Sequence, residues 1–238
     1  VGNDVRGIAS AIDAHLSAAR GDDPRAAAER RVPIRAVPLS ERPVDGLPLS
    51  FSQERLWFLD QLEPGSPAYN MPSAVRLRGP LDLGALRRAF HALGMRHEAL
   101  RTTFPSVEGR AIQQISPSPR GTMATVDLSA LAASSREREL TRLAHANALA
   151  PFDLARGPLA RLAVVVLDRS EAKEDAALLV GLHHIVSDGW SMGIFVAELS
   201  FLARRFSDGD ANPLGSLPPL PIQYADYALW QRGPEAAA

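Results

Sequence analysis

The sequence predicts an α/β (α+β) fold in which helices cover a mixed β-sheet. Stretches with apolar residues three and four apart alternate loosely with short apolar runs, which is typical of amphipathic helices and strands. Several strand candidates are neighbours, and the clearest pair spans residues 161–168 and 176–183 around the charged turn SEAKED. With 238 residues, 46% of them hydrophobic, the chain is long enough for one large or two small domains with a real core.

The N-terminal part of the chain divides into a helix and a linker. Apolar residues recur on one helical face over residues 4–19, which predicts a short amphipathic helix. Residues 21–46 are charged, contain prolines and show no sustained period, which is typical of a linker.

Capping signals place the next two helices. Ser50 with Gln53 resembles a capping box and predicts a helix over residues 51–61. Asp82 caps a second helix, whose apolar residues recur at three and four positions as far as the stretch RHEAL.

The remaining elements follow from periodicity and breakers. Ser134 or Ser135 starts a third helix near residues 135–149, and a helical pattern follows Gly189. The other strand candidates are residues 71–78, 101–106, 111–116 and 122–128.

The end of the last strand candidate carries the chemically most informative residues. The apolar run from Ala177 to Leu182 predicts a buried strand, and His183 and His184 follow it directly. Side chains of neighbouring strand residues point to opposite faces, so one histidine can face a cleft while the other is held within the structure. Asp188 and Gly189 then lie in the turn that leads into the helix.

This arrangement favours acid–base chemistry. A histidine has an unperturbed pKa of about 6.5, so one at a strand end is a candidate general base. The backbone N–H of Gly189 is a candidate donor to an oxyanion, since glycine permits close backbone approach. The alternatives are a histidine satisfied within the core, and a metal site formed by His183, His184 and Asp188, which the opposed strand faces disfavour.

Composition argues against several classes of protein. The chain has no cysteine, which excludes disulfides and thiol catalysis and argues against a zinc site. Lys and Arg total 26 against 27 acidic residues, so the charge gives no reason to expect a nucleic-acid partner. No apolar run approaches the ~18 residues that span a membrane and no signal peptide is visible, so we expect a cytoplasmic protein without a membrane partner.

Four stretches carry a family resemblance when they are taken together. They are LPLSFSQERLWFLDQLEPGSPAYNMP at 47–72, RHEALRTTF at 96–104, HHIVSDGWS at 183–191 and PIQYADYALWQR at 221–232. In this order and at this spacing they resemble the first four core motifs of the condensation domains of nonribosomal peptide synthetases.

The resemblance implies a chloramphenicol acetyltransferase-like fold that is duplicated in one chain, with the active site between two lobes. Residues 47–238 resemble the N-terminal lobe, residues 1–20 the last helix of a preceding peptidyl carrier protein, and residues 21–46 the linker between them. We therefore expect one lobe excised from a longer protein, and we expect it to be inactive without the second lobe.

The resemblance also implies a reaction and roles for particular residues. In the family, the amino group of an acceptor aminoacyl thioester attacks the carbonyl of a donor aminoacyl or peptidyl thioester. His184 is then expected to be catalytic, as a base or as a group that orients the amine, and the N–H of Gly189 to stabilise the tetrahedral intermediate. Asp188 is expected to be structural and to pair with Arg96 or Arg101, of which Arg96 is preferred.

The remaining expectations concern support and partners. His183 is expected to support the histidine loop from the other face of the strand. No cofactor or metal is expected to bind directly, since substrates in the family arrive on phosphopantetheine arms. The implied partners are upstream and downstream peptidyl carrier proteins, a downstream adenylation domain and the second lobe.

Two other functions remain open at this point. One is a different acyltransferase or an epimerisation domain, because these share the HHxxxDG motif. The other is a non-catalytic module that recruits carrier or partner proteins.

Overall fold

A computed structural model of the chain describes residues 33–43, 45–170 and 174–233. The helix predicted over residues 4–19 and most of the predicted linker lie outside the described residues. Within the described ranges, no helix combines the length and apolar character needed to cross a membrane.

The described residues form five α-helices and eight strands, numbered here in chain order. The helices are α1 (Phe51–Leu62), α2 (Leu83–Arg96), α3 (Ala133–Leu149), α4 (Gly189–Ser207) and α5 (Tyr224–Arg232). The strands are β1 (Asn70–Arg78), β2 (Thr102–Thr103), β3 (Ser106–Val107), β4 (Arg110–Ala111), β5 (Gln114–Ile115), β6 (Thr122–Asp127), β7 (Ala160–Asp168) and β8 (Asp175–His183).

The main sheet contains four strands in the order β1-β8-β7-β6. Strand β8 pairs antiparallel with both β1 and β7, whereas β6 pairs parallel with β7, so the sheet is mixed. A parallel pair needs a crossover connection, and α3 lies in the chain between β6 and β7.

Helices bury both faces of this sheet. Leu178 and Val180 of β8 belong to the core cluster that α2 and α4 complete. Ala177 and Leu179, the alternate residues, belong to a second cluster against which α3 packs. A strand covered on both faces is apolar throughout, which explains why residues 177–182 form a continuous apolar run.

A third core cluster lies next to the end of β8. It contains Ile185, which follows the two histidines, and it is packed against Leu56 and Trp57 of α1. The other buried members are Leu49, Phe104, Phe152, Leu154 and Leu159. This cluster joins the first, second and third sequence motifs around the histidine loop.

The predicted fold class agrees with this architecture, and the first two helices start as predicted. Ser50 forms a complete capping box with Gln53, and Asp82 accepts a hydrogen bond from the N–H of Ala85 at 2.8 Å. The paired strands β7 and β8 also form the predicted antiparallel hairpin, with its tip partly outside the described residues.

Two local predictions were wrong. The strand candidates 101–106 and 111–116 are each broken into two-residue strands, which form two small sheets apart from the main one. Pro105 lies at the break, and it has no N–H to donate to a ladder. Helix α3 begins at Ala133 with Ala132 as its N-cap and without a side-chain cap, so neither Ser134 nor Ser135 starts it.

Candidate functional site

The two histidines lie where β8 ends and the loop to α4 begins. The N–H of His183 donates to the carbonyl of Leu159 at 3.1 Å, on the β7 side. The N–H of His184 donates to the carbonyl of Tyr69 at 2.9 Å, on the β1 side. Hydrogen bonds to both neighbouring segments therefore fix the backbone on which the two imidazoles are mounted.

His183 is a core histidine. Its ring is buried, meets Phe152 edge-on at 6.0 Å between centroids, and accepts a hydrogen bond at Nδ1 from the N–H of Ile185 at 3.1 Å. Burial lowers the pKa of His183 to about 4, and the neighbouring charge of His184 lowers it further. The ring is therefore neutral near pH 7, and it supports the loop by accepting one of the loop's own N–H groups.

His184 is exposed, in contrast to its neighbour. Its Nδ1 lies 2.8 Å from the carbonyl oxygen of Ser187. A carbonyl oxygen only accepts hydrogen bonds, so Nδ1 carries the proton in this pair and the neutral ring presents the lone pair at Nε2. The loop thus selects one tautomer and leaves the basic nitrogen available to a substrate.

Gln53 of α1 anchors the same loop. Its Nε2 lies 3.4 Å from the carbonyl of Ile185 and 3.4 Å from the side-chain oxygen of Gln113, while its Oε1 accepts from the N–H of Ser50. The side chain is buried. Sequence reasoning identified Gln53 only as half of a capping box, and nothing in the local pattern signals its contact with the distant loop.

Asp188 is the exposed N-cap of α4. Its carboxylate accepts from the N–H of Ser191 at 2.7 Å and from the hydroxyl of Ser191 at 2.6 Å. Among the described residues, the N–H groups of Gly189 and Trp190 in the same first turn have no acceptor. They remain available as donors beside the histidine loop.

Gly189 lies in open space. A Cβ added at this position would meet no atom within 4 Å, and its backbone conformation is not left-handed. The surrounding described structure therefore does not require a glycine here, and the space over its backbone is free for a ligand.

The predicted pairing of Asp188 with Arg96 or Arg101 is wrong. Arg96 lies 3.1 Å from Glu198 of α4, and its Nη2 donates to the carbonyl of Pro218 at 2.7 Å. Arg101 lies 3.6 Å from Glu98 and donates to the carbonyl of Ser116. Asp188 needs no arginine because it sits at an exposed helix start, where Ser191 satisfies it.

Glu198 is the carboxylate that sequence reasoning missed. It also receives a hydrogen bond from Nε2 of His97 at 2.7 Å, so it ties the RHEALRT motif to α4. Burial alone would raise the pKa of Glu198, but the contacts with His97 and Arg96 hold it below its ordinary value. The available signal was a single acid within the otherwise apolar stretch IFVAELSF.

The fourth motif lies against the first. The hydroxyl of Tyr224, at the start of α5, is 3.0 Å from the hydroxyl of Ser50, at the start of α1. Arg232, in the last turn of α5, donates to the carbonyl of Leu49 at 2.9 Å. No group of three potential metal-ligating side chains occurs among the residues that the structure describes.

A family model described as the condensation domain matches residues 44–237, a range that includes all four motifs and the histidine loop. The chain belongs to the condensation-domain family. The family resemblance carried by the four motifs is therefore confirmed.

The most similar curated proteins include components of nonribosomal peptide synthetases. One of the proteins that make up linear gramicidin synthase in Brevibacillus parabrevis is 47% identical over 186 residues, covering 78% of this chain and 4% of that protein. Phosphinothricin tripeptide synthetase PhsC of Streptomyces viridochromogenes is 44% identical over 216 residues, covering 87% of this chain and 19% of that protein. The chain therefore spans only a small part of each of these relatives.

Solved structures confirm the fold class. The X-domain in the complex of the X-domain and OxyB from teicoplanin biosynthesis is 32% identical, with a TM-score of 0.69 over 85% of this chain and 40% of that one. The starter condensation domain of rhizomide synthetase has a TM-score of 0.62 over 74% of this chain and 41% of that one. At 22% identity, the second match shows likeness of fold alone.

Replacing Asp188 with alanine should lower the free energy of unfolding by about 1 kcal/mol, the usual effect of losing a helix N-cap. This is less than the ~3–5 kcal/mol expected when one member of a buried ion pair is removed. Asp188→Ser should retain most of the stability. Chemical denaturation at pH 7 measures the loss, and Asp82→Ala, which removes the cap of α2, is the matched control. A loss several kcal/mol larger than that of the control would contradict the solvated arrangement of Asp188.

The buried His183 should make stability depend on pH. Its pKa is about 4 in the folded protein against 6.5 when unfolded, so its contribution is complete above pH 6.5 and is lost as the pH falls towards 4. Between pH 7.5 and pH 5 the loss should reach about 2 kcal/mol. The free-energy difference between wild type and His183→Gln should therefore narrow by that amount, as measured by denaturation at both pH values.

The exposed His145 of α3 provides the control for this measurement. The difference between wild type and His145→Gln should stay constant over the same pH range. A constant difference for His183→Gln as well would mean that the His183 ring is already protonated or accessible in the folded protein.

Proposed function

We propose that this chain supplies the histidine-bearing lobe of an enzyme that forms a peptide bond between a donor aminoacyl or peptidyl thioester and an acceptor aminoacyl thioester. The observation that carries the proposal is the environment of His184. Its Nδ1 is engaged by Ser187 at 2.8 Å, its ring is exposed, and its Nε2 is therefore the free basic atom of the loop. A core histidine or a metal ligand would not need this combination.

The proposed step is aminolysis of a thioester. The acceptor amine attacks the donor carbonyl, a C–N bond forms, the C–S bond breaks, and the thiolate that leaves takes up a proton. Nε2 of His184 accepts the proton that the amine loses, or holds the amine in the orientation for attack. A positioned base typically contributes ~10²–10⁴-fold to the rate.

The first turn of α4 supports the proposed stabilisation of negative charge. The tetrahedral intermediate carries an oxyanion, and the N–H of Gly189 is a free donor with open space over it. The same turn lies at the positive end of the helix dipole. Asp188 then has a structural role, because its cap bonds to Ser191 order the turn that presents these donors.

Much of the catalytic effect should come from positioning. Orientation of two tethered substrates can supply up to ~7–11 kcal/mol, so the enzyme needs walls on both sides of the reacting groups. We propose that these substrates arrive on the phosphopantetheine arms of upstream and downstream carrier proteins and that no cofactor binds directly. A downstream adenylation domain and a second lobe complete the assembly, in keeping with the small share of the large synthetases that this chain covers.

A recruitment module is the second candidate function. It is favoured by the likeness to the X-domain, which was solved in complex with OxyB. The free Nε2 of His184 and the free N–H of Gly189 favour the enzyme, since binding a partner protein requires neither. Residues 183–189 in this chain retain the full HHxxxDG pattern, and relatives among peptide synthetases favour condensation over epimerisation or another acyl transfer.

His184→Ala in the synthetase that carries this sequence should reduce amide formation ~10²–10⁴-fold, the usual contribution of a positioned base. The substitution should leave the melting temperature nearly unchanged, because the side chain is exposed. Product release from loaded carriers, followed by mass spectrometry with a weakly nucleophilic acceptor, measures the rate. His145→Ala, an exposed histidine on the opposite side of the sheet, should retain wild-type activity. An unchanged rate for His184→Ala would assign catalysis to another group.

The 238-residue chain alone should fold but form almost no amide. Its three core clusters are complete enough to bury one another, while one wall of the proposed site is missing. Apolar side chains near the loop, Trp190 and Ile194, are 45% and 39% exposed, so we also expect self-association. Circular dichroism, sedimentation and a carrier-loaded assay beside the two-lobe protein test this. Comparable turnover by the single chain would show that the site does not need a second lobe.

A further inference from the structure

We propose that Arg42 fastens residues 33–43, here called the strap, onto the lobe and thereby sets where the chain leaves towards the upstream carrier protein. The strap lies within the stretch that sequence analysis assigned to the linker, and the family match begins only at residue 44. The attachment itself is argued from contacts alone, whereas its consequence for the carrier rests on the proposed function.

Arg42 donates to three different segments. Its Nε lies 3.1 Å from the carbonyl of Val37, within the strap. Its Nη1 lies 2.8 Å from Glu98, in the RHEALRT motif, and its Nη2 lies 3.1 Å from Asp226, in α5. The guanidinium group therefore joins the strap to two elements that are distant in sequence.

The two carboxylates are already committed to the lobe. Asp226 is 1% exposed, and its second oxygen accepts from the N–H of Gln223 at 2.7 Å, which completes the capping box of α5. The side chain of Gln223 in turn accepts from the N–H of Glu98 at 3.0 Å and donates to the carbonyl of Arg96 at 3.0 Å. Arg42 thus enters a network that holds α5 against the second motif.

The charges of this network make Arg42 necessary. Within the described ranges, Arg42 is the only cation within ion-pair distance of Asp226. Glu98 has Arg101 at 3.6 Å as a second and longer contact. A buried carboxylate that loses its cation is strongly destabilised, so the network favours the state in which the strap is docked.

Apolar contacts do not hold the strap. None of residues 33–43 is fully buried, and Leu39 is 79% exposed. The hydrogen bonds that join the strap to the rest of the described chain are the two from Arg42 to the carboxylates and one from the N–H of Val37 to Asp226 at 3.1 Å. A change at Arg42 should therefore release the whole strap without opening the core clusters.

Docking of the strap shortens the tether to the upstream carrier. Eleven extended residues span at most about 35–40 Å, and an anchored strap removes that reach. For a coil-like tether the effective concentration of the linked domain falls as about the −3/2 power of length, so extension from residues 21–32 to residues 21–46 lowers it roughly threefold. Arg42 is in this sense a positioning residue.

The attachment can be tested without any enzymatic assay. The chain has no cysteine, so Ala36→Cys and Arg55→Cys, both at exposed positions, accept a specific pair of spin labels. The labelled protein should give one narrow distance distribution, and Arg42→Gln should broaden it while Arg35→Gln, an exposed arginine of the same strap, leaves it narrow. A broad distribution with Arg42 present, or a narrow one in Arg42→Gln, would overturn the proposal.

Amide hydrogen exchange separates release of the strap from loss of the fold. In Arg42→Gln, exchange at Val37 should accelerate at least tenfold, while Val164 and Val180 in the sheet remain protected. Should Arg42→Gln fail to fold, Arg42→Lys keeps the charge but not the planar fork, and it should accelerate Val37 exchange by a smaller factor. Slow exchange at Val37 in a folded Arg42 variant would refute the role of Arg42.

The positioning role needs a readout that structural damage would not produce. In the parent synthetase, Arg42→Gln should lower amide formation from the covalently linked upstream carrier roughly threefold relative to Arg35→Gln. The rate with the same carrier supplied as a separate protein should not change. An equal loss in both formats would refute positioning by the strap. Absence of amide from the wild type would refute the proposed function instead, and the distance measurement would still decide the attachment.

Discussion

The position of β8 in the middle of the sheet constrains everything else in this lobe. Strands lie on both of its edges and helices on both of its faces, so each of its backbone and side-chain groups has an assigned neighbour. His183 is the last residue under that constraint and His184 the first beyond it. The difference between a buried, neutral ring and an exposed, basic one follows from a single residue step along the chain.

The motif residues outside the histidine loop act mainly by joining segments. Gln53 reaches the loop from α1, Glu198 joins α4 to Arg96 and His97, and Gln223 joins α5 to the backbone around Glu98. Each link combines a buried or half-buried polar side chain with a partner more than 90 residues away. Four motifs that are dispersed in sequence are consequently assembled around one loop.

The parts of this arrangement that sequence reasoning recovered are those with local causes. Strand alternation separates His183 from His184, and capping chemistry identifies Ser50 and Asp82. The partner of Asp188 depends instead on the rotation of α4 about its axis and on the packing of α2 against it. Nothing within a few residues of Asp188 encodes that rotation, so the family resemblance suggested an arginine where Ser191 is the partner.

The same reasoning explains the assignment of residues 21–46 to a linker. Prolines, charges and the lack of period describe residues 33–43 correctly, because the strap has no buried apolar face. What the pattern does not reveal is that one arginine in it meets two carboxylates from distant motifs. Polar attachment of an irregular segment leaves no periodicity to detect.

The pairing of β1 with β8 has a consequence for how the protein is made. Asn70 lies opposite His183 in the register, so the edge of the sheet closes across more than a hundred residues of chain. At ~5–20 residues per second, a ribosome needs on the order of 5–20 s to synthesise that interval. During this time β1 has no strand to pair with, and the carbonyl of Tyr69 has no His184 to hold. The histidine loop is thus one of the last features to form during biosynthesis, and a nascent chain presents a folded site only when the lobe is nearly complete.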